Sequence, residues 1–146
     1  VRESDQFDHG SEPAIVRIGG WKIGLSICYD VRFSELYARY AKEEVDLIMV
    51  PSAFLVPTGK AHWHTLLRAR AIESQCFVLA PAQIGPHISV VKGQRESFGH
   101  SLAVAPWGEV IADLAGLPQG GQVVELDAAR LSSVRAQIPM ASHRRL

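Results

Sequence analysis

Residues 21–51 read WKIGLSICYDVRFSELYARYAKEEVDLIMVP, and the order of patterns in this stretch decides the architecture. Trp21 to Ile27 is an apolar run with strand character, Cys28 ends it, and Tyr29 to Phe33 forms a short turn. Ser34 then stands where an N-cap is expected, ahead of a helix to about Glu44. Val45 to Pro51 is a short apolar run rich in branched residues and stopped by proline, the pattern of a buried strand. Strand, helix and strand in this order predict an α/β layer.

Working outward, Ala14 to Ile18 and the run from Trp21 are joined by Gly19-Gly20, which predicts a β-hairpin. Phe54 to Lys60 holds Pro57 and Gly59 and reads as a loop leading into a helix from about Ala61 to Ser74, where Trp63, Leu66, Leu67 and Ala71 recur at helical spacing. Phe77 to Gln83 is a further buried strand, and Gly85 to Arg95 is expected to be a loop. Ser101 to Ala105 and Glu109 to Leu114 flank Pro106-Trp107-Gly108, a second hairpin signal. Gln122 to Leu126 completes the strands, and Asp127 is placed to cap a helix over Ala128 to Gln137. Strand candidates interspersed with helices fit a two-sheet sandwich covered by helices.

The 146 residues are 47% apolar and 21% charged, which points to one ordinary globular unit rather than a disordered or membrane chain. Fifteen basic and fifteen acidic residues balance, so no overall positive field exists to hold nucleic acid or an anionic membrane. The longest apolar stretch, Val45 to Val56, is interrupted by Asp46, Pro51 and Ser52 and is too short to span a bilayer. No signal-peptide pattern opens the sequence, and two cysteines suit a reducing compartment, so a cytoplasmic location is expected. A small-molecule ligand fits this composition better than a polyanion.

A cysteine at the end of a buried strand, just before a turn and a helix start, has the geometry that exposes a nucleophile. Nearby N–H groups there favour the thiolate and can donate to an oxyanion. Cys28 meets that description, with a small buried hydrophobe as the alternative. Cys76 precedes the apolar Phe77-Val78-Leu79 and is expected to be buried and inert. Arg32 could grip a substrate carboxylate through its planar fork, or pair with Glu35; Asp30 is open to the same two kinds of role. Arg68, Arg70 and Glu73 suggest a structural ion-pair set. His62 and His64 point to different sides of a helix and no Cys-x-x-Cys pair exists, so spacing supports no metal; His100 and His143 are expected to be structural or surface residues.

The segment Gly24-Leu25-Ser26-Ile27-Cys28-Tyr29-Asp30-Val31-Arg32-Phe33-Ser34-Glu35-Leu36 resembles the nucleophile motif of the nitrilase superfamily, the carbon-nitrogen hydrolases. Further matches run in family order through Pro51-Ser52-Ala53-Phe54, Thr58-Gly59, His62-Trp63, Arg68 to Glu73, Gly99-His100-Ser101 and Pro106-Trp107-Gly108. Within the superfamily the resemblance is to the branch of deaminated glutathione amidases and ω-amidases.

The resemblance implies an α-β-β-α sandwich that dimerises and a Glu-Lys-Cys triad whose nucleophile matches Cys28. An additional active-site Glu of the family matches Glu3, and the Tyr29 backbone N–H is placed to donate to the oxyanion. Thiol-dependent hydrolysis of a small, carboxylate-bearing amide would proceed through a thioester, release ammonia and require no cofactor. In the family the triad Glu and Lys lie ahead of the position of Glu3, so Lys22, Lys42, Lys60 and Lys92 do not match that Lys by order. On this reading residues 1–146 are the C-terminal part of a single carbon-nitrogen hydrolase domain and would not hydrolyse amides alone. The competing reading is a non-catalytic interaction module, a truncated homologue that pairs with a partner.

Overall fold

The computed structural model describes residues 5–89, 93–115 and 120–145. Strands β1 (Ala14–Ile18) and β2 (Trp21–Leu25) form the expected antiparallel hairpin, with Gly19 and Gly20 both at positive φ in its turn. A 3-10 turn over Cys28–Arg32 leads into helix α1 (Ser34–Lys42). Its N-cap is Phe33, one residue before the expected position, so Ser34 opens the helix instead of capping it. Strand β3 (Leu47–Met49) follows and pairs parallel to β2.

Helix α2 (Val56–Ser74) begins five residues earlier than the sequence suggested. Pro57 does not oppose this, because the first turn of a helix has no use for its missing N–H. Gly59 serves an approach, not a bend. A Cβ there would stand 2.3 Å from Phe98 Cγ, so only glycine lets the helix meet that ring. Strand β4 (Phe77–Ala80) pairs parallel to β3.

The segment expected to be a loop over Gly85–Arg95 carries β5 (Ile84–Ser89) and β6 (Gly93–Phe98), an antiparallel pair outside the main sheet. Strands β7 (Leu102–Val104) and β8 (Val110–Asp113) form the second hairpin and join the main sheet, whose order is β1-β2-β3-β4-β7-β8. The strand expected over Gln122–Leu126 is not formed; these residues run as irregular chain, with Val123 97% exposed. Asp127 caps α3 (Ala128–Gln137) by accepting from the Ala129 N–H at 2.8 Å, and α4 (Met140–His143) is the last helix among the described residues.

Register explains the two cores. Gly24, Ile48 and Val78 pair across β2, β3 and β4 and face α1 and α2, where Tyr37, Tyr40, Trp63, Leu67 and Ala71 are buried with them. Gly24 admits the Tyr40 ring, whose carbons would stand 3.0 Å from any Cβ. The alternate row, Ile23, Leu47 and Phe77, packs on the opposite face with Leu131 of α3. The main six-stranded sheet therefore carries α1 and α2 on one face and α3 on the other, with the β5–β6 pair outside it. Val16, Ile18 and Leu25 at the hairpin edge stay exposed. No described helix is long and apolar enough to cross a membrane.

Candidate active site

Because β2, β3 and β4 run parallel, their carboxyl ends lie together, and open α/β sheets bind ligands beyond those ends. Chain leaving β2 supplies Ile27 and Cys28, chain leaving β3 supplies Pro51, Ser52 and Ala53, and chain leaving β4 supplies Pro81, Ala82 and Gln83. Since β7 runs antiparallel to β4, Ser101 at its start joins them. These residues line an open cleft of about 660 Å³. Its rim is tied by backbone bonds from Ser52 N to Pro81 O and from Gln83 N to Ser52 O, both 2.9 Å. Ser101 Oγ accepts from the Ala82 N–H at 2.9 Å.

Cys28 is half-buried in this cleft and carries φ +45°, in the left-handed region that favours glycine. A non-glycine residue there costs on the order of 1 kcal/mol or more and persists only where its surroundings dictate it. Here they do. The Cys28 N–H donates to Pro51 O at 2.9 Å, and the Asp30 carboxylate accepts from the Ile27 N–H at 2.8 Å. The Asp30 N–H returns to Ile27 O at 3.0 Å, so Asp30 closes the turn that aims the thiol.

Arg70 of α2 braces the same turn from below. Its Nε–H donates to Val31 O at 2.9 Å, its Nη1–H donates to Glu73 Oε1 at 2.7 Å, and its guanidinium lies over the Tyr37 ring. The expected structural pair is thus Arg70 with Glu73, while Arg68 Nε–H donates to Gly108 O at 2.7 Å. Tyr37, buried beside them, has its hydroxyl pKa pushed up by burial.

Arg32 lies on the flank of the site and is not among the residues lining the cleft. Its guanidinium carbon lies over the Phe54 ring at 5.1 Å and the Tyr29 ring at 5.5 Å, and Nη1–H donates to His62 Nδ1 at 3.3 Å. Glu35 is engaged by the Ser34 hydroxyl at 3.5 Å. Glu3 lies outside the described residues. Cys76 is wholly buried at the other end of the sheet, and burial pushes its thiol pKa up. Among the described residues lining the cleft, Cys28 carries the one ionisable side chain.

A group that residue spacing does not single out gathers beside α2. His64 Nε2–H donates to Asp113 Oδ2 and His100 Nδ1–H to Asp113 Oδ1, each at 2.9 Å. Burial alone would raise the Asp113 pKa, but the bonds from His64, His100 and the Ala115 N–H outweigh it and hold the carboxyl below its ordinary value.

The sequence profile described as Carbon-nitrogen hydrolase matches residues 1–136. A deaminated glutathione amidase of Synechocystis sp. (strain PCC 6803 / GT-S) is 48% identical over 122 residues, covering 84% of this chain and 43% of that protein. The crystal structure of the Caenorhabditis elegans NitFhit protein matches with a TM-score of 0.85 at 43% identity, covering 99% of this chain and 34% of that one. An amidase from Nesterenkonia sp. AN1, solved with acrylamide added at its active-site cysteine, matches with a TM-score of 0.73 at 31% identity, covering 94% of this chain and 52% of that one. The chain spans less than half the length of the curated deaminated glutathione amidases it matches.

Proposed function

Because the chain belongs to the carbon-nitrogen hydrolase family, we propose that the protein carrying it hydrolyses the C–N bond of a small, carboxylate-bearing amide with Cys28 as nucleophile. The observation that carries this reading is the left-handed placement of Cys28 in a cleft at the carboxyl ends of three parallel strands. In the proposed reaction the thiolate attacks the amide carbonyl and the Tyr29 N–H donates to the oxyanion. Collapse of the tetrahedral intermediate expels ammonia or an amine, which takes up the proton that the general base removed from the Cys28 thiol. Water then hydrolyses the thioester and frees the carboxylic acid and the thiol.

The general base and the cation that steadies the oxyanion must come from outside the described cleft lining, which offers neither. By resemblance they are a Glu and a Lys, with Glu3 as a further acidic group of the site. Arg32 is assigned to the substrate carboxylate: its guanidinium sits over the Phe54 and Tyr29 rings on the flank of the cleft, and its planar fork suits a carboxylate. The deaminated glutathione amidases among the relatives favour a substrate of that kind.

The ionisable-poor lining also favours a second reading, a non-catalytic interaction module presenting the exposed Ile27, Tyr29 and Phe33. One experiment separates the two. The full-length protein is mixed with deaminated glutathione or a panel of small ω-amides, quenched in acid and mapped by mass spectrometry. An acyl group on the Cys28 peptide, together with released amine or ammonia, is expected. No adduct and no turnover with any amide would leave the interaction module standing.

A further inference from the structure

We propose that His64, His100 and Asp113 form a binding site for one zinc-class divalent cation, separate from the Cys28 cleft and independent of the amidase reading. One ligand atom from each of the three side chains lies within 4.8 Å of the other two. They come from three elements, α2, the chain between β6 and β7, and β8, which explains why the spacing of His62 and His64 gave no hint of it. Those two histidines do diverge: His62 meets Arg32 while His64 meets Asp113.

The donor chemistry selects the ion. Two imidazoles and one carboxylate suit zinc and its neighbours, whereas magnesium and calcium prefer oxygen alone. Zinc–ligand bonds of about 2.0–2.1 Å put neighbouring tetrahedral ligands roughly 3.3 Å apart. The two 2.9 Å contacts to Asp113 need to open by a few tenths of an ångström, while the imidazoles, whose ligand atoms lie within 4.8 Å of each other, would draw in towards that separation. On binding, the ring proton each imidazole now gives Asp113 moves to its other nitrogen, and the freed lone pair turns to the ion. The three side chains are 36%, 25% and 26% exposed, and a water would serve as the fourth ligand.

The rings are also held in place before any ion arrives. His100 stacks on Phe98 with centroids 4.2 Å apart, and the Trp63 Nε1–H donates to the His100 carbonyl at 2.7 Å. His100 has φ +57°, which sends its ring towards Asp113 while the next residue, Ser101, lines the cleft. An ion here would clamp α2 to β8 and steady the chain that carries Ser101.

The test uses full-length protein in a Cys28→Ser background, which removes the accessible sulfur as a competing ligand. Titration with zinc chloride should show one saturable site per chain. His64→Gln, Asp113→Asn and His100→Asn should each weaken it at least tenfold, and asparagine tolerates the left-handed backbone at 100. Cobalt(II) added to the unvaried background protein should give visible absorption of tetrahedral intensity without a sulfur charge-transfer band, a readout that needs no ligand variant to fold. Absence of saturable zinc binding, affinity unchanged in all three variants, or a thiolate band in the cobalt spectrum would each overturn the proposal.

Discussion

The two cysteines sit at opposite ends of the same parallel strands, and their surroundings differ because a strand's two ends differ. Cys76 enters β4 at the amino end, where Asp46 accepts from the Lys22 N–H at 2.8 Å and Arg135 donates to Val45 O at 2.7 Å and Gln75 O at 3.2 Å. Side chains thus satisfy the backbone there, and Cys76 is wholly enclosed. At the carboxyl end the chains leaving β2, β3 and β4 stay tied by backbone bonds from Cys28 N to Pro51 O, Ser52 N to Pro81 O and Gln83 N to Ser52 O, and Cys28 lines the cleft they frame. The same thiol is packing material in one place and a candidate nucleophile in the other.

The sharpest way to break this comparison is to remove each thiol in turn from the full-length protein. Cys28→Ala should lower kcat/KM for the amide substrate by about 10³-fold or more, since members of a catalytic unit fail together. Iodoacetamide on the native protein should label the Cys28 peptide first and spare Cys76 until unfolding, because the Cys76 thiol is buried with its pKa raised. Native labelling of Cys76 ahead of Cys28 would reverse the assignment.

The second effect in size lies between the two ends. Arg70 joins the last turns of α2, near Cys76, to the Val31 carbonyl in the turn after Cys28. Arg70→Ala strands that carbonyl and leaves Glu73 without its partner. With Glu73 about one-third exposed, the loss should be about 2–3 kcal/mol, below the full penalty of breaking a buried pair. A urea melt measures it, and a shift well under 1 kcal/mol would show that the turn after Cys28 stands without its brace.

What the sequence disclosed divides along the same line. The β1–β2 hairpin, β3, β4 and α3 were legible because local signals and tertiary demand agree there: Gly-Gly at a two-residue turn, buried branched runs, and Asp127 at an N-cap. The β5–β6 hairpin was not, because Gly85, Pro86 and Gly93 punctuate it and Gln94, Arg95 and Glu96 show no apolar alternation. Val123, Val124 and Leu126 looked like a strand, yet among the described residues no partner strand takes them up. In the site, Cys28 and the turn after it were readable from residue order. The bracing by Arg70 and the meeting of His64 with Asp113 were not, since contacts 39 and 49 residues apart leave no periodic trace.

A smaller effect sharpens the open end. Arg32→Lys keeps the charge but loses the flat fork held over Phe54 and Tyr29. KM should rise about tenfold for a carboxylate-bearing amide while changing little for a neutral one of the same length. Equal rises for both would make Arg32 a packing residue of the turn rather than a carboxylate anchor.

The smallest effect is expected at the closed end. Cys76→Ala removes one sulfur from a fully enclosed position, a loss comparable to burying one fewer methylene, and should cost about 1 kcal/mol of stability. The surrounding bonds do not depend on that sulfur: the Cys76 N–H donates to Ala71 O at 3.2 Å, and Arg135 binds the Gln75 carbonyl, so backbone geometry should persist. Since Cys76 precedes β4 whereas the cleft residues Pro81 to Gln83 follow it, kcat and KM should stay within about twofold of the parent, the margin expected when no transition-state contact is lost. A denaturation curve paired with steady-state kinetics checks both halves. If kcat fell tenfold while stability dropped only by the expected amount, the amino end of the sheet would be governing the geometry of the cleft. The division between an enclosed end and a working end would then have to be abandoned.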